Sequence, residues 1–262
     1  MIALDATGWL SAAYPGSGSG NTATVSYSVS ANASCIVVLN GGAGNPIASQ
    51  PSYSVSDGTS YTAIENIARS DGANGWAMLG VHILLNANSG THSVVGTNSA
   101  GSFNSYGNMF VGAFTGVLTA STNDSAFDNT ANGKSQHPAV TSAAATAQNI
   151  ELLLAVCAVV DQVDTWSPTE PSGFTNVGTI TVGGVGSGSA DYRILNVAPA
   201  SYTADYGNPA WANATSRDWV AAIVGLKGIL PTSALERKTL SANGTRIGGR
   251  GLQGGMYARM AA

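Results

Sequence analysis

Few residues in this chain could do acid–base or covalent chemistry, so their spacing decides what each can be. Glu65, Glu151, Glu170, Asp161 and Asp164 are the acids that could form a glycosidase pair. That chemistry needs two carboxyls about 5–9.5 Å apart, one of them held protonated by its surroundings. No Glu-x-Asp-x-Glu triplet brings two glutamates to one strand face. Glu65 stands alone between Ile64 and Asn66, and Glu151 opens an apolar run; both read as solvated strand-end acids. His82 and His92 fall in or beside strands, where alternation puts them at a sheet face, and His137 precedes Pro138 in a loop. No G-x-S-x-G elbow exists to pair with them. The pieces GGAGNP and GGVGSGSG open no helix and carry no P-loop lysine, so they are turns rather than phosphate cradles.

Oxygen ligands for calcium occur in Asn123–Asp124, Asp128–Asn129 and Asp161–Asp164, without EF-hand spacing. No Cys/His spacing resembles a zinc site. The expectation is a chain with no catalytic residues, no metal and no cofactor. Sugar binding uses exposed aromatic faces with amides beside them, and one loop, YTADYGNPAWAN, brings Tyr206, Asn208, Trp211 and Asn213 together. Trp166 sits in a second polar loop. Loop Trp and Tyr also serve as packing lids or subunit contacts, so both readings stand.

The remaining chemistry lies in residues 231–262, where the composition changes. Before Pro231 there are five basic residues against thirteen acidic, a net of −8; after it there are five against one, a net of +4. Isolated apolar residues, Leu240, Ile247, Leu252, Met256, Tyr257 and Met260, are set among glycines with Arg237, Lys238, Arg246, Arg250 and Arg259 between them. Such a segment has no core of its own. Its apolar residues read as pegs for a neighbour's pockets, the arginines as partners for acidic surface, and the glycines as places where backbone runs close. Nucleic acid is a poor partner, because the basic residues are sparse and an acidic body repels a polyanion.

An apolar content of 44% can bury a core, while 9% charged residues is far below the ~25% of ordinary soluble domains. Surface polarity must come from Ser, Thr, Asn and Gly. Cys35 and Cys157 both lie in apolar runs and read as buried thiols, with a bridge between two core strands left open. The longest apolar run, Ile150–Val160, is too short to cross a bilayer, which needs about 20 residues. The N-terminus lacks a basic region followed by an apolar block, so no signal peptide is expected.

Strand signals recur with turn chemistry between them. TATVSYSVS (residues 22–30) alternates strictly; SCIVVL (34–39) is a continuous apolar run and so a central strand. Further strands are expected over 52–56, 61–69, 75–85, 91–97, 108–115, 139–146, 149–160, 173–182, 189–197, 201–206 and 217–227. The segment 61–69 also fits helical spacing through Ile64 and Ile67. Residues 119–138 read as a long polar loop, and no repeat of fixed period is evident. This predicts an all-β, antiparallel β-sandwich of about twelve strands in two stacked sheets. An extended segment, 1–21, precedes the sandwich domain, 22–230; Trp9 and Tyr14 could anchor it. An extended C-terminal arm, 231–262, follows.

The series SCIVVL, GWAMLGVHIL, GTHSVVGTN, FVGAFTGV, IELLLAVCAV, GFTNVGT and RDWVAAIVGLKGI resembles jelly-roll, concanavalin-like β-sandwich modules of bacteriophage structural proteins and bacterial surface proteins. The resemblance covers about residues 20–229 and rests on core-strand patterns; the arm has no counterpart in it. It implies a non-enzymatic virion protein, for capsid decoration or a tail or fibre, that is extracellular after release. Other virion proteins would be the partners through 231–262, and a homo-oligomer is the default. Neither nucleic acid nor membrane insertion is expected. The alternative is an adhesion module recognising a host-surface glycan.

Overall fold

A computed structural model describes residues 1–15, 21–30, 33–44, 50–70, 75–99, 105–120, 122–135, 138–160, 169–182, 185–207 and 217–231. One compact unit spans Met1–Ile229, and a second, Leu230–Ala262, lies outside the described residues but for its first two. The described chain is all-β, and every strand pairing is antiparallel.

Sixteen strands occur among the described residues. In chain order they are β1 (Ala3–Leu4), β2 (Leu10–Tyr14), β3 (Thr22–Val29), β4 (Cys35–Gly44), β5 (Tyr53–Ser56), β6 (Thr62–Ser70), β7 (Trp76–Leu85), β8 (Gly90–Asn98) and β9 (Ser105–Thr115). The second half adds β10 (Asn129–Ser135), β11 (Ala139–Thr141), β12 (Ile150–Val159), β13 (Thr175–Val182), β14 (Val185–Asn196), β15 (Thr203–Asp205) and β16 (Arg217–Lys227). The segment with mixed helix and strand spacing, 61–69, is the strand β6.

Three strands fall where none was expected. Strands β1 and β2 fold the N-terminal segment onto β9, with the buried Tyr14 hydroxyl donating to Asn40 Oδ1 at 2.7 Å. Strand β10 lies inside the stretch read as a polar loop. It runs in register with β16, and the Trp219 ring lies against Gly133, its indole nitrogen donating to Ser135 Oγ at 2.9 Å. Residues facing that ring must be small, so β10 carries no apolar alternation to reveal it.

Two five-stranded paths form the centre, β2-β9-β4-β7-β6 and β10-β16-β12-β14-β13, with β1 also on β9. They pack face to face: β13 lies over β9, β16 over β6, and β4 over β12. Leu39, Leu79, Phe110, Phe114, Val156 and Ile180 fill the space between them. The outer face of the first sheet is covered by β3-β8-β5 and that of the second by the β11-β15 ribbon with Phe127 and Phe174. Sheets covered on both faces need strands apolar on both faces. That is why CIVVLNGGAG and IELLLAVCAV are buried at every residue, while β3, covered on one side, alternates exposed and buried.

The two central paths repeat one plan. Replacing β2, β4, β6, β7 and β9 by β10, β12, β13, β14 and β16 turns the first order into the second. The bulges coincide: β6 slips between Ala63 and Glu65 against β7, β13 between Asn176 and Gly178 against β14. Asp5 N donates to the Ala113 carbonyl and Asp124 N to the Gly225 carbonyl, each at 2.8 Å and each ahead of the corresponding strand. The halves are therefore related by an approximate two-fold exchange across the β4–β12 contact. A trace survives in sequence, Tyr61-Thr62-x-Ile64-x-x-Ile67 against Phe174-Thr175-x-Val177-x-x-Ile180. Unequal connections hide it from a search for a fixed period.

Close approach of β14 to β12 has a local requirement. A Cβ at Gly188 would collide with the Cys157 carbonyl oxygen and reach within 3.1 Å of Ala158 Cα, backbone that cannot retreat without opening the ladder. Gly188→Ala is expected to cost about 1–3 kcal/mol, while Ser26→Ala on the exposed face of β3 stays within about 0.5 kcal/mol. Urea unfolding monitored by Trp fluorescence compares the two, and equal midpoints would refute the packing account.

Candidate functional site

The carboxylates give the densest chemistry, though not as solvated strand ends. Glu151 is 0% exposed. Its apolar strand is covered on both faces, so an acid within it is buried too; the run IELLLAVCAV already carried that signal. Glu151 Oε1 accepts from Gln148 N at 3.0 Å, and Oε2 has no hydrogen-bond donor. Asp124, also buried, stands beside it and accepts from Ala147 N at 2.7 Å. Gly225 makes room for both: a Cβ there would lie 3.0 Å from Glu151 Oε2 and from the Phe127 ring, and 3.4 Å from Asp124 Cβ.

Burial, reinforced by the neighbouring Asp124 charge, pushes the Glu151 carboxyl up to about 7. Asp128, half-buried, accepts from Gly225 N at 2.8 Å; burial first, then the charges of Glu65 and Asp124, push it up to about 6. Glu65 is half-buried at the β6 bulge and burial raises it as well. Four carboxyls thus gather where the loop before β10 meets the ends of β12 and β16, with Glu65 reaching in from the opposite sheet. Glu170, by contrast, is exposed and accepts from Asn176 N at 3.2 Å. Among the described residues no three acid, histidine or cysteine side chains converge as a metal cage.

Each half buries one further polar network on its outer face, at equivalent positions on β7 and β14. His82 is buried, with Nδ1 3.4 Å from Asn40 Nδ2 and Nε2 3.2 Å from the Tyr53 carbonyl; burial lowers it to about 4, so the ring is neutral. Asp191 accepts from Ser189 Oγ at 2.7 Å and from Asn176 Nδ2 at 3.0 Å, and burial pushes it up to about 6. His92 instead pairs with Asp57 at 2.5 Å beside the Asp57–Gly58 turn. Cys35 and Cys157 are free, buried thiols, one in each central sheet.

The aromatic platform expected around Tyr206 loses its first member. Tyr206 is 0% exposed, its ring in the apolar layer beneath β11–β15 and its hydroxyl beside Asp191. Strand alternation turns Ala204 and Tyr206 inward together, and a ring buried on all sides offers no face to a sugar. Asn208, Trp211 and Asn213 lie outside the described residues, as do Trp166, His137, Asp161 and Asp164. So do the arm positions Arg237, Lys238, Leu240, Arg246, Ile247, Arg250, Leu252, Met256, Tyr257, Arg259 and Met260. Comparison with protein-family models, curated proteins and solved structures finds no match to the chain.

The raised acids set the sign of the pH dependence. Glu151, Asp128 and Asp191 hold protons in the fold that an unfolded chain releases from about pH 4 upward, so stability falls as pH rises through their folded values, about 6 to 7. His92 acts in the same direction. Burial tends to lower it, but the Asn88 carbonyl and Asp57 outweigh that and raise it, so its pairing is lost as pH climbs through the folded value. Asp5 works oppositely. Burial tends to raise it, but hydrogen bonds from Ser30 and Thr7 prevail and lower it, so its contribution is lost as pH falls through the folded value. The thermal midpoint is expected to be highest at about pH 4 and to decline from there towards pH 8. A calorimetric midpoint that climbs from pH 5 to pH 8 would contradict this assignment.

Proposed function

We propose that this chain is a non-enzymatic structural protein of a bacteriophage particle, attached through residues 231–262. The observation that carries the reading is the break at Pro231. A body of net charge −8 gives way to an arm of net charge +4, and at the junction Ile229 and Leu230 stand 49% and 53% exposed. Apolar residues left uncovered at the base of a basic, glycine-rich arm suit a chain that continues onto another protein's surface.

The wrapping of the strands supports the same reading. Strands β2 to β9 alternate largely between two sheets, giving β2-β9-β4-β7 in one and β3-β8-β5 in the other. This alternation resembles a jelly roll, an architecture that serves in viral capsids and lectins, but departs from it where β6 joins β7 rather than β5. A fold closed by stacking, with hydroxyls in place of charges on the outer face of β3 and β8, suits a durable extracellular shell. Attachment would then combine burial of the arm's apolar pegs with pairing of its arginines to acidic surface, multiplied by repetition around a symmetric particle.

Deleting residues 232–262 is expected to leave a domain with the parent's near-ultraviolet spectrum and an unfolding midpoint within about 2 °C. In a complementation assay, that domain should no longer sediment with particles. Incorporation at the parental level would defeat the proposal.

A further inference from the structure

The internal repeat supplies a control for the buried acid pair. Asp5 and Asp124 occupy equivalent corners, each donating its own amide to the equivalent carbonyl of β9 or β16. Asp5 is answered entirely by donors: Thr7 N at 3.0 Å, Ser30 N at 3.1 Å and the Ser30 hydroxyl. The register places Ser34 where the second half has Glu151, because Cys35 pairs with Phe114 as Leu152 pairs with Leu226. The fold thus builds this corner once without a second acid. In the other half it buries one whose Oε2 has no donor, beside another carboxylate. Folding alone therefore does not account for Glu151.

We infer that the facing carboxyls of Asp124 and Glu151 share one proton and form a pH-sensitive latch on the end of β16. The hydrogen bonds define what the latch holds. Asp124 and Glu151 grip Ala147 N and Gln148 N, and the Gln148 side chain donates from Nε2 to the Ile150 carbonyl at 2.7 Å and to the Gly228 carbonyl at 2.6 Å. Gly228 N in turn donates to the Ile150 carbonyl at 2.8 Å. Gly228 stands three residues before Pro231, so the pair secures the strand end from which residues 232–262 continue.

The charged neighbours are few. Asp128 flanks the pair from the loop before β10, and Glu65 faces Asp128 from β6. Lys227 is the cross-strand register partner of Glu151 but forms no ion pair with it among the described residues. With one proton between them, the carboxyls form a charge-assisted hydrogen bond. When that proton is lost to water, two buried anions face each other, and the Gln148–Ile150 segment must loosen to hydrate them. The inference is independent of what the arm binds.

Hydrogen exchange on the full-length protein tests it, read on peptides covering residues 142–152 and 222–231 and corrected for intrinsic rates. Protection there is expected to fall by about tenfold or more between pH 5.5 and pH 8.5, while β4 stays unchanged. Glu151→Gln, whose amide can donate to Asp124 at any pH, should remove the dependence. Equal protection at both pH values would overturn the latch, as would an undiminished pH dependence in Glu151→Gln. Millimolar calcium at pH 8.5 is the second arm. No effect of calcium supports a shared proton; restored protection that Glu151→Gln abolishes would mean that the pair holds a cation instead, and the inference fails.

Discussion

Burial of both faces of the two central sheets is the constraint on which the rest depends. A sheet covered on one side can keep a polar face in water; one covered on both must be apolar throughout, or answer each polar group internally. Strands β4 and β12 meet this with unbroken buried runs. The covering layers, β3-β8-β5 on one side and β11-β15 on the other, then carry the alternation and the hydroxyl surface. The low charge of the chain follows, since so many of its positions never reach solvent.

The same constraint explains where polar chemistry survives. His82 with Asn40 and Tyr14, and Asp191 with Ser189, are buried clusters knitted by mutual hydrogen bonds, the second joined from the surface by the exposed Asn176. They sit at matching places in the two halves, although the residue types differ. Satisfied networks of this kind specify register, since a one-residue slip would leave every member unpaired. The Asp124–Glu151 corner departs from the pattern: its counterpart around Asp5 is fully donor-satisfied, and it is not.

Much of the fold was legible because its strands advertise their surroundings. The alternation of TATVSYSVS marked a half-covered strand, the continuity of SCIVVL a central one, and residues 217–227 matched β16 to the residue. What stayed hidden had no apolar pattern to read. Strand β10 is small and polar because Trp219 lies over it, and GGVGSGS, a loop by composition, contributes the start of β14. The repeat was masked by connections of unequal length. For the site, Tyr206 misled because loop composition surrounds a residue that alternation turns inward. Glu151 misled because a strand's first acid is usually wet, whereas this strand is buried from its first residue.

The path of β16 bears on mechanics. It lies between β10 and β12, hydrogen-bonded along both edges, and residues 229–231 leave from its end. Consider a pull through those residues along the strand axis. It loads both antiparallel ladders in shear, many bonds at once, rather than peeling them singly as a pull across an edge strand does. The domain therefore meets tension from that direction with its most resistant geometry.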